Sequence, residues 1–296
     1  MDQSLSKKKY ETLLRRVGDL PALPDMVNKI IAKLNRPNVP ASDIARLISY
    51  DPGLTTKFLR IVNSAAYGFY SQISSVQHAI MILGFGMVRG VVLSASIFKM
   101  FENKTYAGLD PETFWRHSIG TAVASRLIAN HRRIAYSDDA FSAGLLHNIG
   151  QMIMDYYFNQ EYKLVLDQAK VEGIALYDSA FAELERQILG FDHTEVGQQL
   201  AQKWRLPNTF AEVIRFHHHP EEAKDAVDLV YVVALASIFS TFIFFNYGVF
   251  NKEAVPKVMF THFNATPDSP EVLEILYEKV VAEMEGIDDL LVSLKH

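Results

Sequence analysis

Apolar positions recur along this chain at helical intervals. After Asp51-Pro52-Gly53 come Leu54, Phe58, Leu59, Ile61 and Val62, and after Asp110-Pro111-Glu112 come Phe114, Ile119, Val123, Leu127 and Ile128. Such spacing lays one apolar stripe along an α-helix. Both runs open with a side-chain oxygen, a proline and then the first turn, and Ser269-Pro270-Glu271 repeats the pattern. The oxygen can accept from an unpaired N–H at the helix start. Proline there lacks only an N–H that has no helical partner, and a carboxylate in the first turn suits the positive end of the helix. Pro37 and Pro40 bracket a loop between two short helices, and Gly84 can stop the helix holding Val76, Ile80, Met81 and Leu83. No stretch alternates with period two over a strand's length. The pattern predicts an all-α fold.

The punctuation also suggests an organisation. From about residue 20 to 101 it falls every ten to fifteen residues, predicting an N-terminal bundle of short helices packed on the rest. From Asp110 the helices lengthen and the histidines concentrate, so the polar, glycine-containing stretch 102–109 is the expected joint. The first 20 residues, with Lys7-Lys8-Lys9 and Arg15-Arg16, read as a peripheral helix. Between Asp228 and Lys252 lie about 23 uncharged residues, enough to span a bilayer. Ser237, Ser240, Thr241, Asn246 and Gly248 interrupt them, so a helix buried inside a helical protein is expected, with no membrane span. Gly84-Phe85-Gly86-Met87-Val88-Arg89-Gly90 follows no strand and has the wrong spacing for a dinucleotide loop. It reads as a tight turn with close helix packing, in which Arg89 must pair or snorkel. Arg126, His131, Arg132 and Arg133 read as a basic helix terminus.

Composition narrows the function. Hydrophobic residues make up 49% of the 296 and charged residues 21%, which supports a large core and excludes disorder. Lys and Arg number 29 against 34 Asp and Glu, a net charge of −5, so nothing draws the chain to nucleic acid. There is no cysteine, which rules out disulfides, thiolate zinc, iron–sulfur clusters and thiol nucleophiles. Cysteine-free and without a charged-then-apolar leader, the chain is expected in the cytoplasm. There the sequons at Asn103 and Asn264 carry no meaning.

The histidines carry the candidate chemistry. His117, His147, His193 and the run His217-His218-His219 before Pro220 sit in apolar or turn contexts. His147 closes the apolar run from Phe141 to Leu146 and precedes Asn148-Ile149-Gly150. His217 and His218 differ by about 100° around a helix, so both can meet one cleft only from adjacent edges. Pro220 frees His219 to point elsewhere.

Leu145-Leu146-His147-Asn148-Ile149-Gly150 resembles the His-Asp pair of HD-superfamily metal-dependent phosphohydrolases, with Asn148 in place of the aspartate. In the same comparison His117 matches the first metal-ligand histidine. His193, in Gly190-Phe191-Asp192-His193-Thr194-Glu195-Val196-Gly197, and His217-His218 resemble the later ones, while the aspartate expected after Ala234-Leu235-Ala236 is Ser237. The N-terminal half is similar to the HDOD family, the HD-related output domain. The likeness there rests on Leu20-Pro21-Ala22-Leu23-Pro24, Ile48-Ser49-Tyr50-Asp51-Pro52-Gly53-Leu54, Leu59-Arg60-Ile61-Val62-Asn63-Ser64-Ala65, Ile73-Ser74-Ser75-Val76-Gln77-His78-Ala79-Ile80 and Leu83-Gly84. The resemblance covers residues 20–250, divided as an N-terminal subdomain 20–101 and a degenerate HD-like subdomain 110–250. Residues 251–296 form a C-terminal helical extension. It implies an all-helical bacterial signalling module related to hydrolases but not itself catalytic.

The departures decide what chemistry is open. An amide at 148 and a hydroxyl at 237 leave no negative charge to bridge two cations, so a two-metal phosphoryl-transfer clamp is not expected and no catalytic residue is assigned. Two readings of the imidazoles stay open. His117, His147, His193, His217 and His218 can hold one divalent transition metal (Zn, Fe or Ni), with Asp192 or Glu195 turned inwards to supply charge. Alternatively they are packed and hydrogen-bonded relics of an abandoned cleft. The expected function is a regulatory module that binds a signalling protein partner or a small ligand such as a nucleotide. The alternative is a metal-dependent phosphohydrolase acting on a nucleotide or cyclic dinucleotide.

Overall fold

Asp51 and Asp110 cap helices as their sequence contexts predict. Asp51 Oδ1 accepts from the backbone N of Leu54 at 3.0 Å, and Asp110 Oδ2 from that of Thr113 at 2.9 Å. The computed structural model describes residues 22–64, 69, 71–102, 104, 106–246 and 248–295. The N-terminal helix expected around Lys7–Arg16 lies outside the described residues. The helices are α1 (Asp25–Leu34), α2 (Ala41–Ser49), α3 (Pro52–Val62), α4 (Val76–Phe101), α5 (Pro111–Arg132), α6 (Ala140–Leu146), α7 (Ile149–Tyr157), α8 (Asn159–Glu172), α9 (Ser179–Leu189), α10 (His193–Lys203), α11 (Asn208–Phe216), α12 (Val227–Phe245), α13 (Lys257–His262), α14 (Glu271–Glu283) and α15 (Ile287–Lys295). Among the described residues there is no strand, only an isolated bridge between Thr266 and Ser269. The fold is all-α.

Replacing the Asp110 cap by alanine removes an acceptor for an otherwise unpaired helix N–H. Asp110→Ala is expected to lower stability by about 1 kcal/mol, seen as a fall in Tm of about 1–2 °C. An unchanged Tm would mean that Pro111 alone fixes the start of α5.

Gly84 ends a helix as its sequence context predicts: its φ of 73° and ψ of 168° are non-helical, and α4 is two helical stretches, 76–83 and 85–101, joined by a kink there. Only the second stretch is longer than the spacing of turns in the sequence suggests. Glycine is the one residue that adopts such a conformation without strain. Beyond that break α4 is buried nearly all round, from Gly86 to Phe98, so it carries no amphipathic stripe by which its length could be read. A Cβ on Gly86 would stand 2.1 Å from the carbonyl oxygen of Asp138, and only glycine permits that approach. Arg89, 7% exposed, pairs with Asp139 and faces the ring of Phe210 at 5.7 Å. A second departure concerns α14. It starts at Glu271, with Pro270 in the cap position and no side-chain cap, while Ser269 N donates to Thr266 O at 3.1 Å in the turn before it.

α4 packs on α1, α2, α3 and α6. α5 and α12 lie side by side with α6 against both, and α10 packs on α7 and α11. α14 and α15 cover α5, and α15 also reaches α3 and α4. Among the described residues two helices, Val76–Phe101 and Val227–Phe245, are long and apolar enough to cross a bilayer. Their most apolar windows are 72% and 67% buried against neighbouring helices, as core helices require.

Candidate functional site

The candidate site forms where helix ends meet. His117 projects from α5, His147 follows α6, His193 opens α10, and His217 and His218 follow α11. His117, His147, His193 and His217 are 0–4% exposed, and His218 is half-buried with a buried Nε2. The rings form a chain: His117 to His147 at 5.4 Å between centroids, His147 to His217 at 4.9 Å, His193 to His217 at 5.6 Å and to His218 at 5.1 Å. Both His217 and His218 reach His193 from the end of α11, where His217, the cap residue, keeps helical φ and ψ of −63° and −20°.

Close backbone contact fixes this arrangement. A Cβ on Gly150 would stand 1.9 Å from the carbonyl oxygen of His193. α7 therefore crosses the start of α10 with no room for any side chain. Arg215 ties α11 to α10, donating from Nη1 to Thr194 Oγ1 at 2.7 Å and from Nη2 to Glu195 Oε1 at 3.3 Å.

Within the chain, one subset is suited to a cation. Among the described residues, ring nitrogens of His193, His217 and His218 lie within 4.8 Å of one another. Donors about 2 Å from a tetrahedral ion sit a little over 3 Å apart, so modest ring rotations close the set. The far nitrogens are already committed. His193 Nδ1 faces Glu185 Oε2 at 2.6 Å, His217 Nδ1 faces the Ile214 carbonyl at 3.0 Å and His147 Nδ1 faces the Gly144 carbonyl at 2.6 Å. An acceptor at Nδ1 places the proton there and leaves Nε2 as a lone-pair donor. Nε2 of His147, His193, His217 and His218 is in each case buried without a hydrogen-bond partner.

His117 belongs to a different neighbourhood. It stacks on Tyr177 with centroids 3.7 Å apart, and its Nε2 lies 3.3 Å from Ser237 Oγ. Asn148 caps no helix with its side chain, and both amide atoms are buried without a partner. Neither Asp192 nor Glu195 turns inwards, contrary to the sequence expectation. Asp192 Oδ1 accepts from Glu195 N at 2.9 Å and Oδ2 pairs with Arg186, while Glu195 pairs with Arg215. The acid that does reach the cluster is Glu185, unnoticed in the sequence. Its one signal there is a carboxylate interrupting the buried stripe of Phe181, Ala182 and Leu189 on α9.

Burial sets the charge of the site. It pushes His117 down to about 3, helped by His217, and His217 down to about 3, helped by His193. His147 and His218 are held well below the ordinary value by burial and then by His217. His193 is the exception. Burial would lower it, but the Glu185 carboxylate overrides that and raises it.

The family model of the HDOD domain matches residues 20–220. The chain belongs to the HDOD family. A crystal structure of an HDOD domain protein of unknown function from Geobacter sulfurreducens is 26% identical and superposes with a TM-score of 0.76, covering 94% of this chain and 97% of that one. The same fold recurs at 22% identity in a candidate phosphohydrolase of Shewanella amazonensis (TM-score 0.74, covering 96% and 98%). It recurs again at 17% in a candidate signal-transduction protein of Marinobacter aquaeolei (TM-score 0.77, covering 100% and 67%). An uncharacterized protein of Treponema pallidum is 25% identical over 264 residues, 88% of this chain. This HDOD chain spans about half the length of that curated relative, 49%.

Proposed function

We propose that this HDOD chain is a signalling module that recognises a protein partner or a small ligand such as a nucleotide and does not hydrolyse phosphoesters. One observation carries the reading. Where an HD phosphohydrolase needs carboxylates to bridge its cations, this chain has Asn148, whose amide meets nothing, and Ser237, whose hydroxyl meets His117. A site of imidazoles whose one acid, Glu185, lies behind His193 with both oxygens already engaged cannot bridge and neutralise two dications about 4 Å apart. The fold shared with a candidate signal-transduction protein supports the signalling role.

The buried, unpartnered Nε2 atoms favour a single divalent transition metal (Zn, Fe or Ni) held by His193, His217 and His218, over an empty relic. Such an ion would cross-link the start of α10 to the end of α11. Elemental analysis of the purified chain, with a panel of phosphomonoesters, nucleotides and cyclic dinucleotides, tests both statements. No more than one metal equivalent and no turnover are expected, with or without added Zn(II), Fe(II) or Ni(II). Turnover that His147→Ala abolishes would overturn the non-catalytic reading, and two equivalents of metal would overturn the single-ion site.

A further inference from the structure

Glu185 lies behind the histidine cluster and is fully buried. Its Oε2 accepts from the backbone N of His193 at 2.8 Å and faces His193 Nδ1 at 2.6 Å. Its Oε1 accepts from the hydroxyl of Tyr162, also fully buried, at 3.0 Å. No lysine or arginine pairs with Glu185 among the described residues. Capping does not account for the charge. Asp192 already caps α10, and a neutral amide at 185 could accept the His193 backbone N–H equally well. A buried carboxylate is tolerated only where something positive or strongly donating meets it. Here that group is the His193 ring, whose donor strength rises when its other nitrogen binds a cation.

We infer that Glu185, backed by Tyr162, is the positioning residue of this site: it holds His193 with its proton on Nδ1 and Nε2 free, and supplies from behind the ring the negative charge that Asn148 and Ser237 no longer provide. The inference rests on the single-ion reading above. It extends that reading by naming how a three-imidazole site is charge-compensated without an acid touching the ion. Tyr162 fixes the carboxylate from its other oxygen, so the line Tyr162–Glu185–His193 runs from α8 through α9 to α10.

The test uses the full chain stripped of metal and titrated calorimetrically with Co(II), as wild type, Glu185→Gln and Tyr162→Phe. Glu185→Gln keeps the shape and the acceptor but removes the charge. It is expected to weaken Co(II) binding about 10–100-fold and Tyr162→Phe by less. Glu185→Gln should also shift the visible Co(II) absorption, a signature that a purely structural role would leave in place. Ring ¹⁵N shifts of the metal-free wild type are expected to place the His193 proton on Nδ1. Wild-type Co(II) binding that Glu185→Gln leaves equal in affinity and spectrum would overturn the inference. A wild type that binds no Co(II) would instead defeat the single-ion reading, and the ¹⁵N shifts would still decide the tautomer, a proton on Nε2 counting against the inference. Should Glu185→Gln not fold, Tyr162→Phe and the ¹⁵N measurement decide the question.

Discussion

Gly150→Ala is expected to destabilise the protein by about 3 kcal/mol, at the upper end for inserting one methyl group into a packed interior. The cause is geometric. The new Cβ would stand 1.9 Å from the carbonyl oxygen of His193, 2.8 Å from its carbonyl carbon and 2.9 Å from the backbone N of Gly197. All three atoms are backbone, so no rotamer change relieves the clash, and α7 must move away from α10. For a chain of this size the loss corresponds to a fall in Tm of about 5 °C. Because His193 opens α10, the same displacement pulls it away from His217 and His218, so cobalt binding should weaken in the same variant. Gly53→Ala is the control. That residue lies in the exposed first turn of α3, where a Cβ would meet only Asp51 Oδ1 at 3.3 Å. It should stay within about 1 kcal/mol of wild type, because helix propensity there favours alanine. A Gly150→Ala melt within 2 °C of wild type would show that α7 and α10 are not locked together as described.

How much of this was legible in the sequence depends on whether a feature left a local signal. Asp51 and Asp110 were readable because a cap is a contact between residues three apart. The histidines were readable because turn residues flank them, and helix ends are where a helical protein can gather side chains from distant segments. The break of α4 at Gly84 was readable, but the length of the stretch after it was not, since a helix buried on every side has no polar face to give it a period. Tyr177 was not readable either. Its stacking on His117 depends on where the loop after α8 lands, which Gln151 fixes by donating to the Leu176 carbonyl at 2.8 Å. Glu185 was hidden for a related reason. A carboxylate on an amphipathic helix ordinarily faces solvent, and only long-range packing turns this one onto His193. Replacement charge is expected from Asp192 or Glu195, which flank His193 in the sequence. Both are drawn off by arginines that stand 6 residues before Asp192 and 20 after Glu195.

The charge state of the same cluster leads to an acid-sensitive fold. His117 and His217 have native values near 3, and His147 and His218 also lie well below the ordinary 6.5. In the unfolded chain these imidazoles take up protons below about pH 6.5, while in the folded protein they stay neutral, so the unfolded state binds more protons and stability falls as pH falls. Each group that is neutral when folded and charged when unfolded costs about 1.4 kcal/mol per pH unit, or about 2 kcal/mol by pH 5. For His117 and His217 the loss continues down to about pH 3. His193 works in the opposite direction. Its folded value is raised by Glu185, so its contribution is complete below 6.5 and is lost as pH rises through the folded value. Four lowered groups against one raised one make the acid limb the steeper. Thermal melts of metal-stripped protein in chelator-containing buffers should show Tm declining from just below pH 6.5, with several kcal/mol gone by pH 5. The His117 ring protons should show no titration in the folded protein above pH 5. A Tm that holds level between pH 7 and pH 5 would mean that these rings are hydrated or already charged, and the closed interior assigned to them would be wrong.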